Sequence, residues 1–212
     1  MRLDLNDKSI LVIVAGPSAS GKSTFIDQII HRKKSSLVAR TFESLGVSPE
    51  FRFCLLKANQ ARRSIKKGED SMMSCQHRLM HLDWTSKHRG KNLRFCPIIF
   101  SRFQAVYSIQ IYLPYEYWLK RIRSRADSGE GISDRAQTLI DHAETDYRLG
   151  ERMYRQLYAR WENYLDLRRV RPRITIDTVS KIVFEKPPAD IRRNLFSRAV
   201  YSVICRRPLL TD

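Results

Sequence analysis

The sequence predicts an α/β protein of three layers, a parallel β-sheet covered by helices on both faces, and three observations carry that expectation. Ile10 to Ala15 (ILVIVA) is a continuous apolar, β-branched run, which is how a strand buried on both faces of a sheet reads. Val106 to Leu113 (VYSIQIYL) reads as a second strand, stopped by Pro114. Between and after them, apolar residues recur at helical spacing, and strands alternating with helices imply parallel pairing.

Taken in order, the first helix is expected over Ser23 to His31, with Phe25, Ile26, Ile29 and Ile30 on its apolar face. Pro49 to Lys67 reads as a second helix, because Pro49 suits a first turn and Phe53, Leu56 and Ile65 fall at apolar positions. Leu79 to Trp84 (LMHLDW) is a short strand with an acid near its end. Tyr115 to Arg125 reads as a helix, Ala126 to Gly131 as a polar loop with two glycines, and Ser133 opens a helical stretch to about Arg169, with a break at Gly150. Ile174 to Ile176 is a final short strand. Beyond Lys186-Pro187-Pro188, residues Ile191, Leu195, Phe196, Ala199, Val200, Val203 and Ile204 form one helical stripe. It suits either packing on the core or a membrane surface or partner. The expected organisation is a core over 1–180 and an extension over 181–212.

With 212 residues, 42% of them hydrophobic, the chain is long enough for one compact domain. Cys54, Cys75, Cys96 and Cys205 are far apart and form no Cys-x-x-Cys pair, so neither a zinc ribbon nor a disulfide framework is indicated. No apolar run approaches the roughly 20 residues that span a bilayer, and the first residues, MRLDLNDKS, carry acids where a signal peptide is apolar. A soluble, cytoplasmic protein is expected. Lys plus Arg number 39 against 22 Asp plus Glu, a net charge of +17. That field favours anionic partners, a class that includes nucleotides, phosphorylated metabolites, nucleic acid and anionic lipid.

Gly16-Pro17-Ser18-Ala19-Ser20-Gly21-Lys22-Ser23 fits G-x-x-x-x-G-K-[ST] in full. Glycines let the backbone wrap phosphates, and the helix that starts near Lys22 directs its positive end at the same charge. Lys22 is expected to reach the β and γ phosphates of a nucleoside triphosphate, the Ser23 hydroxyl to ligate Mg2+, and Thr24 to add a phosphate contact. A chance match in a chain this long is on the order of one in a hundred. The expected fold class is therefore a three-layer P-loop NTPase fold, with ATP and Mg2+ as the ligands.

The rest of the chain narrows the reaction. The N-K-x-D motif of signalling GTPases is absent, and Leu82-Asp83-Trp84 lacks the Glu that motor ATPases place after the metal-associated Asp. The first absence argues against a signalling GTPase, and the second favours transfer to a bound acceptor over hydrolysis. Asp83 is the candidate for orienting Mg2+ through water or for accepting the acceptor's proton. His81, two residues back on the same strand face, reads as a packing residue. Arg40, Arg52 and Arg78 are candidates for an acceptor's phosphate. Arg121 and Arg125 are four apart and share one helix face, where two guanidinium groups suit a transferring phosphoryl group; Arg123 points elsewhere.

The order Ile111-Tyr112-Leu113-Pro114, Leu119, Arg121-Ile122-Arg123-Ser124-Arg125, Asp127 to Gly131, Ile132 and Arg135 resembles the guanylate kinase family and its nucleoside-monophosphate-kinase relatives. The opening Gly16-Pro17-Ser18 with Gly21-Lys22-Ser23-Thr24 is similar to that family's phosphate loop. The resemblance implies a lid over about 126–133 and implies that Arg121, Arg125 and Arg135 close over the nucleotide with it. It covers about 16 to 25 and 109 to 135. Arg40-Thr41-Phe42-Glu43-Ser44 is only a faint echo of the run that holds GMP in that family, so the acceptor is read as a nucleotide, sugar or sugar phosphate. The competing readings are a kinase of nucleic acid 5′ ends and a nucleotide-binding regulatory module without phosphotransfer.

Overall fold

A seven-residue run without a charged side chain is satisfied in the middle of a sheet, and β1 (Ile10–Gly16) takes that place with every residue buried. It pairs in parallel with β3 (His77–Asp83) on one side and β4 (Ala105–Tyr112) on the other. Outside β3 lies β2 (Cys54–Lys57); outside β4 lie β5 (Arg173–Asp177) and then β6 (Val183–Phe184). The sheet order is thus β2-β3-β1-β4-β5-β6. The sheet is mostly parallel rather than wholly so, because β6 runs antiparallel to β5, and it continues past residue 180. The computed structural model describes residues 9–31, 35–48, 50–67, 77–86 and 89–185. The apolar stripe expected over 190–205 lies outside them, as do Cys75 and Cys205.

Alternation along β1 sends Leu11, Ile13 and Ala15 into one apolar cluster and Ile10, Val12 and Val14 into another. The first cluster lies under α4 (Arg89–Phe100), α5 (Tyr115–Asp127), α6 (Asp134–Thr145) and α7 (Tyr147–Leu167). The second lies under α1 (Lys22–Ile30) and α2 (Ser36–Leu45). Together they make the three layers.

Several elements depart from the sequence reading. The helix expected over Pro49 to Lys67 is a strand followed by a helix, β2 and then α3 (Ala58–Lys67). Phe53 and Leu56 fit helical spacing, but Leu56 buries itself at the sheet edge, in register with Met80. Short apolar runs are ambiguous in this way. Helix α2 has no counterpart in the sequence reading; Ser35 caps its start by accepting from the Val38 N–H, and Gly46, at φ 66°, ends it in the left-handed region. Arg40 to Ser44 lie in this helix. Helix α4 has no counterpart either, its pattern being interrupted by Pro97.

The stretch from Ser133 is two helices, and the break falls at Asp146 rather than Gly150. Asp146 is extended, and its carboxylate accepts from the Arg148 N–H at 2.9 Å as the cap of α7. Gly150 lies inside α7, where a Cβ would meet the Ala143 backbone at 3.0 Å and the Tyr115 hydroxyl closer still. Its lack of a side chain lets α5, α6 and α7 meet.

Candidate functional site

Because β1 sits between β3 and β4, the strand order reverses at its carboxyl end, the place where open α/β sheets bind ligands. The segment from Gly16 to Ser23 rises from that point. A Cβ on Gly16 would stand 2.9 Å from both the Ile111 carbonyl and Ser20 Oγ, so no side chain fits. Ala19 (φ 60°) and Gly21 (φ 98°) are both left-handed, a sequence of backbone turns that aims N–H groups into a concavity. Gly21 precedes α1 without supplying a side-chain cap. An anion meets a favourable field at such an end.

Register places the acid. In the β1–β3 pairing Gly16 lies opposite Asp83, and the Trp84 N–H donates to the Gly16 carbonyl at 3.0 Å. Asp83 thereby stands beside the first residue of the loop. Its Oδ2 accepts from Ser18 Oγ at 2.8 Å, and its Oδ1 accepts from the Thr85 N–H at 2.8 Å and lies 2.7 Å from Thr85 Oγ1. The Ser18 N–H donates to Thr85 Oγ1 at 3.1 Å, and Trp118 Nε1 donates to the Ser18 carbonyl at 2.9 Å. Loop, β3 and α5 are fastened together through Ser18.

Lys22 is turned inward. Its Nζ donates to the Pro17 carbonyl and lies 3.4 Å from Asp83 Oδ2, with the side chain only 4% exposed. Burial holds the Lys22 ammonium below its ordinary pKa, Asp83 pulls it back up, and Arg125 adds to the lowering. Burial works against the Asp83 carboxylate too, but Lys22 and the Thr85 and Ser18 hydrogen bonds outweigh it and hold that pKa below the usual range. His81 is lowered to about 4, first by burial and then by Lys22, so its imidazole is neutral at physiological pH.

These groups share one cavity of ≈ 1030 Å³. Ser18, Ala19, Gly21, Lys22, Ser23 and Thr24 line its floor, and Asp83 and His81 reach it from β3. Arg121 and Arg125 line it from α5, while Arg123, on the other face, lies 3.6 Å from Glu144. Gly131 to Asp134 complete the rim. Gly16, Pro17 and Ser20 belong to the loop without forming the cavity wall, and Arg135, in the first turn of α6, is not on the wall either. The loop between α5 and α6 begins at Ser128, since α5 carries Ala126 and Asp127. Of the three arginines read as acceptor contacts none lines the cavity. Arg40 instead donates to the Lys181 carbonyl at 3.0 Å.

Sequence reading missed Thr85, Trp118, Lys57, Asn59 and Asn92. Thr85 alone carried a local signal, as the hydroxyl two residues after an acid that ends a strand. The others arrive through the packing of elements distant in the chain. The Ser23 hydroxyl and the Asp83 carboxylate are hard oxygen donors on one cavity. They suit a cation that brings phosphate and water oxygens with it rather than an all-protein cage. Among the described residues there is no cluster of three His, Cys, Asp or Glu side chains that would hold a metal. No helix among the described residues is long and apolar enough to cross a membrane.

No family model and no curated protein matches the chain. Among solved structures, a protein of Chloroflexus aurantiacus J-10-fl named as a candidate kinase is 16% identical. The match covers 64% of this chain and 77% of that one, at a TM-score of 0.35. A protein named APE1195 is 17% identical over 58% of this chain and 74% of that one, at a TM-score of 0.33. At such scores neither fold nor function carries across, and the functional reading rests on the chain's own residues.

Proposed function

We propose that this chain has a P-loop NTPase fold with a lid, binds ATP with Mg2+ through Gly16 to Ser23, and transfers the γ-phosphoryl group to a small acceptor. The observation that supports the reading best is the convergence on one cavity of a complete G-x-x-x-x-G-K-S segment, an inward-turned lysine paired with an acid, and two arginines one helical turn apart.

On this reading the loop N–H groups and the α1 N-terminus receive the phosphates, and Lys22 exchanges the Pro17 carbonyl for phosphate oxygens. Arriving phosphate charge favours the ammonium that burial disfavours. Asp83, held below the usual carboxylate range, is a poor proton acceptor. Its work is to fix Lys22 and Ser18 and, with Ser23, to hold Mg2+, which when bound neutralises charge at the transferring group. Arg121 and Arg125 present planar donor pairs to the equatorial oxygens. Arg135 joins them on closure of the segment from Ser128 to Ser133. In the transfer the acceptor oxygen bonds to the γ-phosphorus, the bond from that phosphorus to the leaving ADP oxygen breaks, and the hydroxyl proton passes to water.

The test is ADP release from Mg-ATP, with intact protein and Lys22→Ala, across nucleoside monophosphates, sugars, sugar phosphates and 5′-hydroxyl oligonucleotides. Acceptor-dependent release that vanishes in the folded variant supports the proposal. Equal ATP affinity of the two proteins, with no acceptor-dependent release, overturns it.

A further inference from the structure

The cavity has two unlike ends. On the α5 side stand Arg121 and Arg125; on the opposite side, beyond Asp83, stand Lys57 from the end of β2, Asn59 from the start of α3, His81 from β3 and Asn92 from α4. Lys22 Nζ and Asp83 mark the boundary between them. A γ-phosphate held at Lys22 therefore meets its in-line partner from the β2 and β3 side, the side that the arginines leave open.

Two polar atoms at that end are buried without a hydrogen-bond partner among the described residues, His81 Nε2 and Asn92 Oδ1. Buried polar atoms in folded proteins are nearly all paired, and these two belong to side chains that line the cavity, so each can meet a water or ligand group once its side chain turns towards it. An imidazole nitrogen serves as donor or acceptor, and an amide oxygen accepts two bonds. Both match hydroxyl groups, which give and take. Lys57 is the one cation lining this end among the described residues, which suits one anionic group. The cavity wall includes no Phe, Tyr or Trp among the described residues, so the described wall offers no stacking surface of the kind planar bases use.

We infer, on the basis of the kinase reading above, that the acceptor is a hydroxyl-rich, non-planar molecule with at most one anionic group. His81 and Asn92 bind its hydroxyls and Lys57 its charge. His81 is thus a specificity residue rather than a packing one.

The test is binding and turnover with D-ribose, D-ribose 5-phosphate and glycerol 3-phosphate against GMP and AMP, using a non-hydrolysable ATP analogue for the binding arm. At least one polyol probe is expected to bind in preference to the nucleoside monophosphates. His81→Ala and Asn92→Ala are each expected to raise its Kd and KM about tenfold, the loss typical of one hydrogen bond to a ligand hydroxyl. His81→Gln should recover part of that loss, and ATP affinity should stay within about twofold because neither residue lies at the phosphate loop. Preferential binding of GMP or AMP, no binding of any polyol probe, or equal polyol affinity in both alanine variants overturns the inference. Those outcomes leave the kinase reading standing provided Lys22→Ala still abolishes ATP binding.

Discussion

Arg125 is tethered to Glu130, its Nε 2.8 Å from Oε2 across the turn that ends α5, on the rim of the cavity that holds Lys22 and Asp83. The two side chains are 42% and 62% exposed, so the pair adds little to stability. Its consequence is occupancy. A guanidinium matched to a carboxylate has to release it before meeting a phosphate, and Glu130 therefore competes with the nucleotide. Glu130→Gln is expected to tighten Mg-ATP binding about twofold to fivefold at low ionic strength, and by less in about 0.5 M salt. Titration calorimetry at both salts reads this directly. Equal affinity of the two proteins at low salt removes Arg125 from the ground-state nucleotide site.

The two faces of α5 provide an internal comparison. Arg125 lines the cavity, whereas Arg123 lies by Glu144 on the far side. Arg125→Lys keeps the charge and loses the planar two-donor fork. Turnover should fall about a hundredfold, the usual loss when one donor to developing charge is removed. Arg123→Lys should stay within about twofold, as exposed ion pairs do. Equal turnover of the two variants leaves α5 an ordinary basic surface.

What was legible in the sequence was local. The buried strand at Ile10, the loop after it and the spacing of Arg121 and Arg125 are each written within a few adjacent residues, and so is the Gly16 position where a side chain does not fit. What was not legible depends on register and crossing. Whether Phe53 to Lys67 is helix or strand plus helix is decided by an edge position beside β3, since the same apolar residues suit both periods. The break at Asp146 is a cap visible only once both helices exist, and Gly150, which reads as a breaker, is instead a contact point. Lys57 and Asn59 reach the cavity because β2 lies beside β3, an order no local pattern records, and Asn92 reaches it from α4. Trp118 is a hundred residues from the loop carbonyl it holds.

That contact point makes a stability prediction. A methyl at Gly150 has the Ala143 backbone 3.0 Å away and the Tyr115 hydroxyl closer; backbone at a helix crossing moves only with the whole helix. Gly150→Ala is expected to destabilise by about 1–3 kcal/mol, as overpacking does, despite alanine's better helix propensity. At Gly90, in the first turn of α4, a methyl would meet nothing within 4 Å, so Gly90→Ala should be neutral or stabilise by up to about 1 kcal/mol. Urea unfolding of the two variants tests the contrast. A Gly150→Ala protein as stable as Gly90→Ala shows that the three helices have room.

The paired ions at the loop make the sharpest prediction, because the two halves of one ion pair titrate at opposite ends of the pH range. The Lys22 pKa lies below its ordinary 10.5 even with Asp83 present, burial being the larger influence. The attraction therefore does not offset the burial of the ammonium, and the unfolded chain holds that proton more tightly than the folded one. Protonation of Lys22 therefore costs stability below its folded pKa, a cost relieved as pH rises from there towards 10.5. Lys22→Met keeps length but leaves the buried Asp83 carboxylate without its cation, so at pH 7 its Tm should fall. Asp83 is the reverse case: its pKa lies below 3.8, so it contributes stability above that value and loses it as pH falls through the folded pKa. Asp83→Asn should lower Tm at pH 7, and the deficit should close on acidification below about pH 3.8. Both variants should lose turnover, Lys22→Met with weakened ATP binding and Asp83→Asn with affinity largely kept. Thermal scans from about pH 3 to about pH 10 with parallel ATP titrations decide it. If Lys22→Met is as stable as the parent at pH 7, the Asp83 carboxylate does not depend on Lys22 and the pair is not what holds the loop together.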